Sequence, residues 1–80
     1  MFKAGDLVRI KTWNKMVKEY GLDIDGDIPC RCIFVSGMKP FCGKIYKISA
    51  TYNDGLIRLK GEYGYSFSVD MIEKATINFK

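Results

Sequence analysis

The feature that most constrains the fold is Asn53-Asp54-Gly55, set between two runs rich in β-formers, 44–52 and 56–60. A tight hairpin turn needs backbone angles that Asn, Asp and above all Gly adopt at low cost, so this tripeptide predicts two antiparallel partners. Other strand signals line up around it. Gly5-Asp6 introduces Leu7 to Lys11, where apolar and charged residues alternate and place Val8 and Ile10 inward. Gly61-Glu62 marks a second turn before a strand over Tyr63 to Ser68. Val69 to Ile72 then reads as a single 3₁₀ turn, and a last strand is expected from about Glu73 to Phe79.

One stretch changes period. Trp13, Met16, Val17 and Tyr20 fall at helical spacing, with Lys15, Lys18 and Glu19 on the other side. Thr12 is suited to cap the start and Gly21 to end the helix in a left-handed conformation. The helix is expected to lie against the sheet through Trp13. Asp and Gly make a loop of 22–29, and Cys30 to Val35 reads as a further short strand. Gly37 and Pro40 exclude a long helix over 36–42 but permit one turn that tucks Met38 and Phe41 inward.

With 80 residues there is length for one core and no linker, so residues 1–80 are read as a single domain. One Trp, five Tyr and five Phe supply the large side chains that a core this small needs. The expected fold is mainly β: a five-stranded SH3-like barrel with a short amphipathic helix inserted after strand 1 and a 3₁₀ turn before the last strand. An OB-fold would want a helix between its third and fourth strands, and the pattern offers none there.

The chain contains no histidine, which removes the commonest general base and the commonest metal ligand. No Ser or Cys stands in a nucleophile motif, so the expectation is a binding protein and not an enzyme. Cys30, Cys32 and Cys42 are read as reduced thiols beside strands, because the two-residue spacing that lets paired sulfurs bite one zinc ion is absent. Asp23, Asp25 and Asp27 resemble the opening of a calcium loop, but Phe34 stands where its last carboxylate belongs, which favours a solvated acidic turn. No metal and no cofactor is expected. No apolar run is long enough to cross a membrane, and the first residues lack a secretion pattern, so the expected address is the cytoplasm.

The formal charge of +4 understates the basic side, since three aspartates crowd one loop. With Val8, Ile10, Ile48, Ile57 and Leu59 inward, Arg9, Lys11, Lys47, Arg58 and Lys60 project from neighbouring strands, an arrangement suited to a phosphate backbone. Tyr46 and Tyr65, with Tyr52 and Tyr63 nearby, offer faces for base stacking or for a peptide, although strand alternation places some of the four in the core. The plainer reading is that such charges keep a small barrel soluble and the tyrosines fill its rim.

Four strings carry a resemblance: Gly-Asp-Leu-Val-Arg-Ile at 5–10, Trp-Asn-Lys-Met-Val-Lys-Glu-Tyr-Gly at 13–21, Met-Lys-Pro-Phe-Cys-Gly-Lys at 38–44 and Phe-Ser-Val-Asp-Met-Ile-Glu at 67–73. Together they resemble small phage and prophage proteins and, more distantly, mind-bomb-type and KOW-type SH3-like barrels. The resemblance implies an accessory product acting in the cytoplasm of an infected bacterium on nucleic acid, a host protein or another phage protein. It brings no catalytic residue. Phe67 stands where the pattern expects Trp. The expected function is nucleic-acid binding through the basic face. The alternatives are a protein-binding inhibitor or modulator of a host enzyme or defence nuclease, acting through 20–34, and a virion or assembly component.

Overall fold

The computed structural model describes residues 2–62 and 64–75. Apart from a strand expected over 30–35, its elements follow the expected order: β1 (Leu7–Ile10), α1 (Trp13–Tyr20), a 3₁₀ segment Ser36–Phe41, β2 (Ile45–Thr51), β3 (Leu56–Leu59), β4 (Phe67–Ser68), a 3₁₀ turn Val69–Met71 and β5 (Ile72–Lys74). The strands form one antiparallel sheet in the order β4-β3-β2-β1-β5. This is an open curled sheet, since β4 and β5 are its edges and the described residues of the two are not paired. The last strand is described only from Ile72 to Lys74, and Tyr63 and the expected continuation over 76–79 lie outside the described residues.

The turns sit where local chemistry puts them. Gly55 takes φ 83° at the β2–β3 hairpin, and Asp54 Oδ1 accepts the Leu56 amide at 3.2 Å to close it. A β-carbon at Gly55 would also lie 2.6 Å from Cδ of Arg31, whose side chain crosses the turn and would have to shift, while the positive φ is what calls for glycine. Thr12 caps α1 by accepting the Lys15 amide, and Gly21 ends it with φ 75° and an extended ψ of −171°, not the left-handed pair that was expected.

Alternation on the strands separates the core side from the solvent side. Val8, Ile10, Ile48, Ile57 and Leu59 are all buried, and Phe67, Met71 and Ile72 join them from the last third of the chain. The other side of the core comes from α1 and the long connection: Met16, Ile28, Phe34 and Met38 are fully or almost fully buried. Met16 is the deepest anchor of α1, while Trp13 stays half-buried and stacks on Phe34 with centroids 5.5 Å apart. Lys39 places its ammonium 4.7 Å from the Trp13 ring centroid, a cation–π contact.

The expected strand over Cys30 to Val35 does not form. Ile28 and Phe34 exchange both backbone hydrogen bonds at 3.0 Å, but they are an isolated bridge. Between them the chain turns: Cys30 N–H donates back to the Ile28 carbonyl, and Arg31 N–H donates to Asp70 Oδ2 at 2.8 Å. Amides directed to a turn and to a distant carboxylate are lost to any ladder. The expected strand before the 3₁₀ turn is also shorter, reduced to Phe67–Ser68.

Candidate nucleic-acid interface

The solvent side of β1, β2 and β3 gathers most of the expected basic residues. Leu7 pairs with Lys47 and Arg9 with Ile45, while the Lys60 amide donates to the Lys47 carbonyl at 2.9 Å. Lys60, Lys47 and Leu7 therefore lie side by side across three strands, with Arg9 two residues along β1 and Arg58 two residues back from Lys60. Neighbouring strands are ~4.8 Å apart and same-face residues ~6.6 Å apart, so Lys47 and Lys60 are adjacent, while Arg9 and Arg58 lie on opposite sides of that row, toward Ile45 and Ala50. Lys47, Arg58 and Lys60 are exposed and Arg9 is half-buried.

Two carboxylates border these cations, Glu73 opposite Arg9 on β5 and Glu62 near Arg58, and each is engaged by another group. Glu19 pairs with Lys11, Glu73 with Lys15 and Asp70 with Arg31. Asp6, Asp54 and Glu62 each accept a nearby backbone amide. Asp23 Oδ1 accepts from both Asp25 N–H and Asp27 N–H at 2.9 Å, and Asp27 Oδ1 accepts from Ser36 N–H. Among the described residues no carboxylate forms an ion pair with Arg9, Lys47, Arg58 or Lys60.

Three of the expected residues sit elsewhere. Lys11 follows the end of β1, and its ammonium reaches over to Glu19 on α1 at 3.2 Å, which satisfies its charge away from the field. Tyr46 pairs with Val8 and shares its inward side; burial, with a smaller contribution from Glu62, raises its hydroxyl pKa above 10.0. Tyr65 meets Phe41 in a T-shaped arrangement with centroids 5.7 Å apart, and Phe41 also meets Tyr46 and Phe67. Neither tyrosine lies among the outward cations. For Tyr46 the signal was present, because it stands two residues before the buried Ile48.

Tyr65 instead faces a groove beside the field. Hairpin pairing between β3 and β4 stops after Leu56 with Ser68 and Ile57 with Phe67. The two arms then part around a cleft of about 370 Å³ lined by Tyr52, Arg58, Leu59, Glu62, Tyr65 and Phe67. Arg58 thus belongs both to the basic field and to the cleft. Glu62 carried no signal in the sequence beyond its place in a turn.

The acidic turn presents a different surface. Its carboxylates hold the backbone while Ile24 is 100% exposed, with Leu22 and Ile33 more than half exposed nearby. Apolar residues alternating with aspartates in a loop were the overlooked signal. The thiols of Cys30, Cys32 and Cys42 are half-buried, and burial pushes each above its ordinary value of 9.0, which makes them poor nucleophiles at neutral pH. Cys30 donates to the Cys32 carbonyl at 3.0 Å. No helix among the described residues is long and apolar enough to cross a membrane. No protein-family model, curated protein or solved structure matched the chain.

Proposed function

We propose that this chain is a non-enzymatic SH3-like module of phage type that binds nucleic acid through Arg9, Lys47, Arg58 and Lys60 in the cytoplasm of a bacterial host. The observation that carries the binding reading is the set of outward cations on β1, β2 and the end of β3, whose neighbouring carboxylates, Glu73 opposite Arg9 and Glu62 near Arg58, are engaged by Lys15 and by the Gly64 amide. A cluster of cations on a sheet attracts phosphate, and its binding releases condensed counterions. The strand order and the 3₁₀ turn before β5 support the SH3-like part of the reading, and the four sequence strings support the phage part.

The test is binding of fluorescent oligonucleotides followed by anisotropy over a range of salt concentrations. Three or four phosphate contacts on a single strand predict a slope of log K against log salt of about −2 to −3. Affinity that ignores salt, or no affinity at low salt, removes the proposal. A second reading, that the chain binds a host protein, rests on the exposed Leu22, Ile24 and Ile33 around the acidic turn. A stoichiometric protein partner that survives nuclease treatment and is lost with Ile24→Asp favours that reading.

A further inference from the structure

We infer that the cleft between the parted arms of β3 and β4 seats one unpaired nucleobase, so that the preferred ligand is a single-stranded nucleic acid. This rests on the nucleic-acid reading above and names its substrate class.

The volume of about 370 Å³ falls within the ~300–1,000 Å³ of ordinary small-ligand pockets. Its chemistry narrows the occupant. Tyr52 and Tyr65 are 50% and 41% exposed, which leaves part of each ring open to a ligand in a cleft that both line. Tyr65 is packed on one side: its ring meets Phe41 in a T-shaped arrangement, and its hydroxyl lies so near Gly37 that a β-carbon there would be 2.7 Å from it. A stacking surface that is already packed loses little side-chain freedom when a ring arrives.

Arg58 and Glu62 bring opposite charges to the same cleft. A lone phosphate would meet the Glu62 carboxylate, and a purely apolar guest would leave Arg58 without a partner and Glu62 with only the Gly64 amide as it excluded water. A planar, uncharged group with hydrogen-bond donors and acceptors along its edge fits both demands, and a nucleobase is such a group. Its own phosphate would then continue toward Arg58, Lys60 and Lys47, which run outward from the cleft along β3 and across to β2. In a duplex the base faces are stacked on one another, so the cleft selects unpaired strands.

The experiment compares three ligands on the full chain by anisotropy: a short single strand, the same strand with abasic sites throughout, and its duplex. The wild-type chain is expected to bind the single strand at least about tenfold more tightly than either other ligand, as loss of one stacked base implies. Tyr52→Ala is expected to lower single-strand affinity by a similar factor without changing the salt slope, and thermal melting of the variant checks its fold. If the abasic strand binds as tightly as the normal one and the salt slope persists, the cleft holds no base and this inference falls while the basic-face reading stands. If no ligand binds at low salt, both fall. The abasic arm decides the matter even where a tyrosine variant is unstable.

Discussion

The acidic turn over Asp23–Asp27 and the basic field on β1–β3 both concentrate charge of one sign, yet the structure uses them in opposite ways. In the turn, Asp23 and Asp27 are acceptors for backbone amides and organise the long connection that covers the core. In the field, Arg9, Lys47, Arg58 and Lys60 have no ion-pair partner among the described residues, and the sheet beneath them is held by backbone pairing and buried apolar side chains. The difference teaches that a charge cluster in a sequence is not a site until its hydrogen bonds are assigned. Removing the acidic connection's contacts should cost stability; removing the basic field should cost binding.

The largest effect belongs to the connection's apolar anchor. Phe34 is fully buried, is bridged to Ile28 and supports Trp13. Phe34→Ala should destabilise by about 3–5 kcal/mol, lowering the melting temperature by tens of degrees or leaving the chain unfolded. A loss under about 1 kcal/mol would mean that the connection is not part of the core. Asp23 comes next. Asp23→Ala removes one acceptor shared by two amides and should cost about 1–3 kcal/mol, whereas Asp23→Asn keeps an acceptor oxygen and should cost clearly less. Equal losses in chemical denaturation would show that charge, and not hydrogen bonding, is what this turn needs.

The contrast also marks how far the sequence is legible. The β2–β3 hairpin, α1 and the inward residues of β1 and β3 follow from signals within a few neighbours: Asn53-Asp54-Gly55, the Thr12 cap, and strict alternation around Val8 and Ile57. What failed depends on partners far along the chain. The Arg31 amide reaches Asp70, thirty-nine residues away, so no local pattern could show that Cys30 to Val35 turns and does not extend. Lys11 left the basic field for Glu19 only because α1 folds back beside the end of β1. The cleft beside Arg58 exists because β3 and β4 part after two residue pairs, and turn residues at Gly61-Glu62 do not reveal where pairing stops.

Alkaline pH should weaken the connection's side more gently. Burial raises the pKa of Cys30, Cys32 and Cys42 above 9.0, and of Tyr20 and Tyr46 above 10.0. Each of these groups then holds more protons folded than unfolded over that window, so stability is intact below pH 9 and falls as pH rises through the folded-state values. A melting temperature that rises between pH 9 and 11 would contradict the burial of these groups.

The smallest stability effect should come from the basic field itself, and it gives the sharpest contrast with Asp23. Lys47 and Lys60 are exposed, lie next to each other across β2 and β3, and have no ion-pair partner among the described residues. Like charges at neighbouring positions repel, so the double change Lys47→Ser with Lys60→Ser should leave stability within about 0.5 kcal/mol, or raise it slightly at low salt. The same variant should lose about one to two units of the salt slope for oligonucleotide binding, because each cation withdrawn from phosphate releases fewer counterions. Denaturant titration and anisotropy on one preparation separate the two quantities. A variant that melts early and binds normally would reverse the assignment, making these lysines supports of the sheet and not a surface for a polyanion.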